Sequence, residues 1–215
     1  MTVKIGVISL GCVKNRIDTE EMLAQLQDEY EFVQDMQDAD IMLINTCAFI
    51  SDAKEESINT ILEAEQQKKF GKLKGIIVTG CLPERYHERL KQMVPRVDAF
   101  LGTAAYKEIR RAIESVVEGS RFDSYPDKAI DESFSRRVLT TVPPTAYVKI
   151  AEGCDNCCSY CVIPSIRGKY QSRKPEYILE EIASLARDGY NEIILIAQDT
   201  TGYGKDLNEE INLAK

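Results

Sequence analysis

With 215 residues, 44% of them hydrophobic and 29% charged, the chain can bury a sizeable core and is long enough for one large or two modest domains. Its formal charge of −8, from 35 acidic against 27 basic residues, gives no general attraction for phosphate backbones, so a nucleic-acid partner would need a local basic patch. The opening MTVKIGVISLGC has one lysine and an apolar run of strand length, too short for a signal segment or a membrane span, which predicts a cytoplasmic protein without a membrane partner; seven cysteines in that setting argue for metal or redox chemistry over a disulfide framework.

The first hundred or so residues read as alternating strands and helices. Val3–Leu10, Ile41–Asn45, Gly75–Thr79 and Val97–Leu101 are short, mostly apolar, β-branched runs of the kind buried parallel strands use. Between them, Asp18 followed by Glu21 and Asp52 followed by Glu55 have the spacing of carboxylate caps, which predicts helices over Thr19–Asp28 and Ala53–Lys68. Pro83 suits the first turn of a third helix, and Ala105–Glu118, closed by Gly119, makes a fourth. This order predicts a flavodoxin-like α/β domain, whose ligands sit at the carboxyl ends of the strands near the switch point. Cys12 (SLGC), Cys47 (NTC) and Cys81 (TGC) fall at such ends, 35 and 34 residues apart, one βα unit each.

Gly119 to Pro144 is charged, rich in Ser, Asp and Pro, and without a clean period; it reads as an interdomain linker. A second βα unit follows, with a strand over Ala146–Ala151, a cysteine loop over Gly153–Cys161, a helix over Glu176–Arg187 and a strand over Glu192–Ala197.

Six of the seven cysteines thus form two sets of three. Cys154, Cys158 and Cys161 make a C-x3-C-x2-C run on one short loop, and Cys12, Cys47 and Cys81 converge from remote positions. Three thiolates can hold a cubane iron–sulfur cluster and leave one iron open for chemistry, so two sets suggest two clusters. Zinc is the competing reading, because Cys154/Cys157 and Cys158/Cys161 are two CxxC pairs. Adjacent Cys157 and Cys158 would point apart in most backbone conformations, which favours the cluster.

The stretch CDNCCSYC, residues 154–161, resembles the signature of radical S-adenosylmethionine (SAM) enzymes. The resemblance implies a [4Fe–4S] cluster on Cys154, Cys158 and Cys161 whose free iron chelates SAM, with Tyr160 near the adenine and Cys157 outside the ligand set. The segments SLGCVKN, INTCAFISDAKEES and VTGCLPERY resemble the methylthiotransferases within that family, which implies a second [4Fe–4S] cluster on Cys12, Cys47 and Cys81. AFISDAKEESINTIL and AQDTTGYG look like the RimO branch, which modifies an aspartate of small-subunit ribosomal protein S-twelve; the MiaB-like branch, which modifies tRNA adenosine, is the alternative. The implied architecture is a methylthiotransferase N-terminal domain over 1–118, a linker over 119–144, and over 145–215 the start of a partial (β/α) radical SAM barrel. Family members continue further, so a truncated chain of doubtful independent activity is expected. The implied chemistry is hydrogen abstraction from the aspartate β-carbon by a 5′-deoxyadenosyl radical, with sulfur carried at the other cluster, SAM as methyl source, and a flavodoxin or ferredoxin type electron donor.

Other residues carry plainer expectations. His87, the single histidine, reads as solvated or partly packed; Gln198 and Asp199 follow a strand where sites cluster; Arg167, Lys169, Arg173 and Lys174 form a basic run whose default is a solvated loop. The class-level alternative to an enzyme is a non-catalytic iron–sulfur or zinc-binding protein.

Overall fold

The computed structural model describes residues 2–128, 137–207 and 211–214 and falls into two units, Met1–Pro126 and Asp127–Lys215. In the first, six strands, β1 (Lys4–Ser9), β2 (Glu31–Val33), β3 (Ile41–Thr46), β4 (Gly75–Gly80), β5 (Ala99–Leu101) and β6 (Phe122–Ser124), form one sheet in the order β2-β1-β3-β4-β5-β6. All five pairings are parallel. Parallel neighbours need crossovers, and the helices α1 (Val13–Leu26), α2 (Ser51–Phe70), α3 (Cys81–Met93) and α4 (Ile109–Val117) run between the strands. The chain reverses direction of travel at β1, which is flanked by β2 and β3; this is the flavodoxin-like order with its switch point between β1 and β3.

IMLINT and GIIVTG carry no charge, and every residue of β3 and β4 is buried. Successive side chains alternate between faces. Ile41, Leu43 and Ile77 accordingly pack with Met22 and Leu26 of α1 and Ile109 and Ile113 of α4, each burial contributing about 1.5–3 kcal/mol.

Three local expectations change. Helix α1 starts at Val13, so Asp18 lies inside it, 4% exposed, and the residue in the cap position is Cys12. The reversal after β1 is made at Gly11 with φ +89°, which leaves no length for a loop reaching Asp18. Helix α2 starts at Ser51, placing Asp52 in its first turn, where a carboxylate meets the positive end of the helix but does not cap it. The three-residue edge strands β2 (EFV) and β6 (FDS) have no apolar run to announce them; β6 adds to the sheet residues expected in the linker. Part of that linker, 129–136, lies outside the described residues.

The second unit contains β7 (Thr145–Lys149), β8 (Ala151–Glu152), α5 (Ile163–Arg167), β9 (Gln171–Ser172), α6 (Pro175–Arg187) and β10 (Glu192–Ile196). β7 and β10 pair in parallel, with α6 between them in sequence, while β8 and β9 pair antiparallel. The strand expected over Ala146–Ala151 is split at Ile150 because its last residues leave β10 to pair with β9. Ala146, Val148, Ile178, Leu185 and Tyr190 form the core. Glu181 of α6, 5% exposed, accepts hydrogen bonds from Arg137 at 2.6 Å and Arg173 at 2.7 Å. The same arginines donate to the carbonyls of Tyr147 and Lys149 in β7, both at 2.7 Å, and so fasten α6 to the strand. Arg167 and Arg173 are 4% and 7% exposed, which corrects the expectation of a solvated loop for these two, while Lys169 is exposed as expected. Among the described residues no helix is long and apolar enough to cross a membrane.

Candidate functional site

The ends of β1, β3 and β4 are side by side because those strands are neighbours, and each end carries a cysteine. Cys12 precedes α1 and is exposed; Cys47 follows β3 and is 8% exposed; Cys81 is the first residue of α3 and is 7% exposed. Their approach depends on the preceding glycines. A Cβ on Gly11 would lie 2.6 Å from Cys47 Cβ and 3.0 Å from its Sγ. A Cβ on Gly80, at φ +94°, would lie 2.3 Å from Asn45 Oδ1 and 2.7 Å from the Thr46 carbonyl.

Beneath the cysteines is a buried polar layer. Asn15, fully buried, donates through Nδ2 to the carbonyls of Leu10 at 3.1 Å and Thr46 at 2.9 Å. Its Oδ1 faces Cys81 Sγ at 3.8 Å and Cys12 Sγ at 4.0 Å. Asn45 Nδ2 donates to the Asn15 carbonyl and to Thr19 Oγ1. The Ser57 hydroxyl accepts from the Cys47 amide at 3.1 Å and lies 3.0 Å from the Cys47 carbonyl, fixing that peptide to α2. Three soft thiols at neighbouring strand ends, two of them facing one buried amide, are donors of the type an iron–sulfur cluster takes.

The second cysteine set lies on the loop after β8. A Cβ on Gly153 would meet the Lys169 carbonyl at 2.0 Å, so glycine allows the loop to lie against residues 168–169. There the Cys154 amide donates to the Gly168 carbonyl and the Tyr170 amide to Asp155. Asn156 donates to Asp199 at 2.9 Å. The Thr201 hydroxyl, followed by Asn156, holds the Asp199 carboxyl below the usual range for an aspartate. Beyond these anchors the chain turns at Cys157, which has φ +48°, and the Cys161 amide closes on the Cys158 carbonyl at 2.9 Å. Cys154 and Cys161 are half-buried; Cys157 and Cys158 are exposed, and Tyr160 is 86% exposed.

Gln198 has a structural tie: its amide donates to Glu152, whose carboxylate also meets Lys149 at 3.2 Å and Arg167 at 3.4 Å. His87 packs against Tyr125 with ring centres 4.0 Å apart and the ring planes tilted by 57°. Asn15 and Glu152 escape a reading of the sequence by residue type, because Asn15 is not among the usual metal ligands and Glu152 is one of many glutamates in the chain. Spacing is the available signal, since Asn15 sits one helical turn after Cys12 and Glu152 immediately before the glycine of the cysteine loop.

Two family models match the chain: the one described as "Uncharacterized protein family UPF0004" over residues 4–102, and the Radical SAM superfamily over residues 148–215. A "Ribosomal protein uS12 methylthiotransferase RimO" from Clostridium acetobutylicum is 49% identical over 207 residues, 95% of this chain and 46% of that protein. A protein of the same name from Clostridium botulinum (strain Loch Maree) is 50% identical over 209 residues, 96% of this chain and 46% of the relative. The chain therefore spans about half the length of these curated relatives. Among solved structures, the radical S-adenosylmethionine methyltransferase TsrM of Kitasatospora setae, with cobalamin and a [4Fe-4S] cluster bound, matches with a TM-score of 0.63 at 12% identity, over 94% of this chain and 48% of that one, a likeness of fold. With cysteine motifs at its strand ends, the chain is similar over nearly its whole length, at about half identity, to RimO methylthiotransferases, and over residues 148–215 it matches the Radical SAM superfamily.

Proposed function

We propose that the chain serves a methylthiotransferase that adds a methylthio group to the β-carbon of an aspartate in small-subunit ribosomal protein S-twelve, in the cytoplasm, with a flavodoxin or ferredoxin type protein as electron donor. The names of the relatives favour this substrate over tRNA adenosine. The observation that supports the reading is the placing of Cys12, Cys47 and Cys81 at the ends of three neighbouring strands, with Asn15 facing Cys12 and Cys81, together with a separate loop that carries Cys154, Cys158 and Cys161. Each set would hold one [4Fe–4S] cluster. When bound, these clusters and SAM supply the radical abstraction, the sulfur and the methyl group.

The chain's own residues do the positioning. The first domain, read over 1–118, offers its thiols at a sheet end where two are buried and Cys12 is open to an incoming group. In the portion over 145–215, the Gly168, Tyr170 and Asp199 contacts fix the first half of the cysteine loop and leave Cys158 and Tyr160 exposed at its tip. Tyr160, exposed there, would lie near the adenine of SAM.

Anaerobic reconstitution with counts of iron and sulfide tests the reading. About eight irons per chain, falling to about four when Cys12, Cys47 and Cys81 are all changed to alanine, is the expected result. Zinc without iron would defeat it. Addition of SAM and reductant to the loaded chain, with release of 5′-deoxyadenosine as the readout, tests the chemistry.

A further inference from the structure

We infer that Asn15 is a positioning residue that turns an acceptor toward the sulfur ligands of the Cys12/Cys47/Cys81 site and thereby holds an iron–sulfur group there at low reduction potential. The inference rests on the reading of that site as an iron–sulfur site.

The orientation of an amide side chain follows from its hydrogen-bond partners. Both hydrogens of Asn15 Nδ2 are taken by the carbonyls of Leu10 and Thr46, at 3.1 and 2.9 Å. Carbonyls only accept, so the nitrogen must face them and the oxygen must face the other way. The other way is toward Cys81 Sγ and Cys12 Sγ, at 3.8 and 4.0 Å. Flipping the amide would set its oxygen against two carbonyl oxygens in a fully buried place. The backbone of Asn15 is fixed as well, since its carbonyl takes hydrogen bonds from Asn45 Nδ2 at 2.9 Å and Thr19 Oγ1 at 2.9 Å.

Hydrogen bonds donated to the sulfurs and the local net charge are what set the potential of such a group. A donor near sulfur favours the added electron. The negative end of a dipole, pinned about 4 Å away in a region of low dielectric, disfavours it. A low potential at the first site would direct an incoming electron to the Cys154/Cys158/Cys161 loop, where the proposed chemistry needs it, and keep the sulfur-carrying site oxidised.

The test uses the full chain with Cys154, Cys158 and Cys161 changed to alanine, so that only the first site loads. The parent, Asn15→Ala and Asn15→Asp are reconstituted anaerobically, iron and sulfide are counted, folding is checked by circular dichroism, and midpoint potentials are read by dye-mediated titration with electron paramagnetic resonance. The expected result is about four irons in each, with the potential raised in Asn15→Ala and lowered in Asn15→Asp. Potentials equal to the parent's, or shifted in the reverse order, overturn the inference. Folded variants that bind no iron also overturn it, by reducing Asn15 to a scaffold residue. A parent that binds no iron overturns the iron–sulfur reading itself, and the inference with it.

Discussion

Gly80→Ala is the sharpest test of how the first site is built. Gly80 stands at φ +94°, ψ −148°, a region essentially reserved for glycine, so the backbone term alone is on the order of 1–3 kcal/mol. The new methyl would also sit 2.3 Å from Asn45 Oδ1 and 2.7 Å from the Thr46 carbonyl. Neither can move aside: Thr46 is the last residue of a fully buried strand, and Asn45 is tied to Asn15 and Thr19. Overpacking of this kind adds about 1–3 kcal/mol, for a total of roughly 2–6 kcal/mol. That is a large share of the ~5–15 kcal/mol by which domains are stable. Gly119→Ala is the control, because Gly119 also has a positive φ, +79°, but a Cβ there meets nothing within 4 Å; its loss should be about 1–2 kcal/mol. Urea unfolding of both variants, followed by far-ultraviolet circular dichroism, measures the difference. Equal losses would refute the argument that close approach to Asn45 and Thr46 is what requires glycine before Cys81.

Ser57→Ala should cost about 1–3 kcal/mol by leaving the buried Cys47 amide without its hydroxyl partner, and should speed loss of iron to a chelator, read by absorbance. Glu181→Ala removes the carboxylate shared by Arg137 and Arg173 and should destabilise the second unit by roughly 3–5 kcal/mol in urea unfolding; an effect under about 1 kcal/mol would show that the buried pair matters little. Burial pushes the Tyr170 hydroxyl up to about 12 from its ordinary 10.0. A raised folded value means that its stabilising contribution is complete below about 10 and is lost as pH rises through about 12. Ultraviolet titration should therefore show one fewer late-titrating phenolate in Tyr170→Phe, the others including Tyr125, whose hydroxyl burial also pushes up.

The sheet of the first unit is readable from the chain because β3 and β4 are uncharged β-branched runs and nothing else in that composition suits burial on both faces. The three cysteines are readable for the same reason, since each stands where such a run stops. Helix starts are less legible. Asp18 has the chemistry of a cap, but the cap position goes to Cys12 because glycine at position 11 reverses the chain at once. Edge strands such as EFV are set by a neighbour's free hydrogen bonds, a tertiary cause with no local period. The burial of Arg167 and Arg173 is hidden likewise, because it depends on Glu152 and Glu181, 15 residues back and 8 residues on. Asn15 is illegible for a further reason: its role comes from two carbonyls, and carbonyls are common to every residue.

The spacing of the first three cysteines has a consequence for the order of events in the cell. Each thiol arrives at the end of a different strand, and those strands are joined by crossovers 35 and 34 residues apart. Such non-local parallel pairing is slow to assemble, and no contiguous piece of the chain can present all three ligands before it is complete. On the proposed reading, metal delivery to this site would be a step that only a finished sheet can accept. A chaperone or scaffold handing over iron and sulfide would meet either a competent receptor or separate, weakly binding thiols, with no half-built site between.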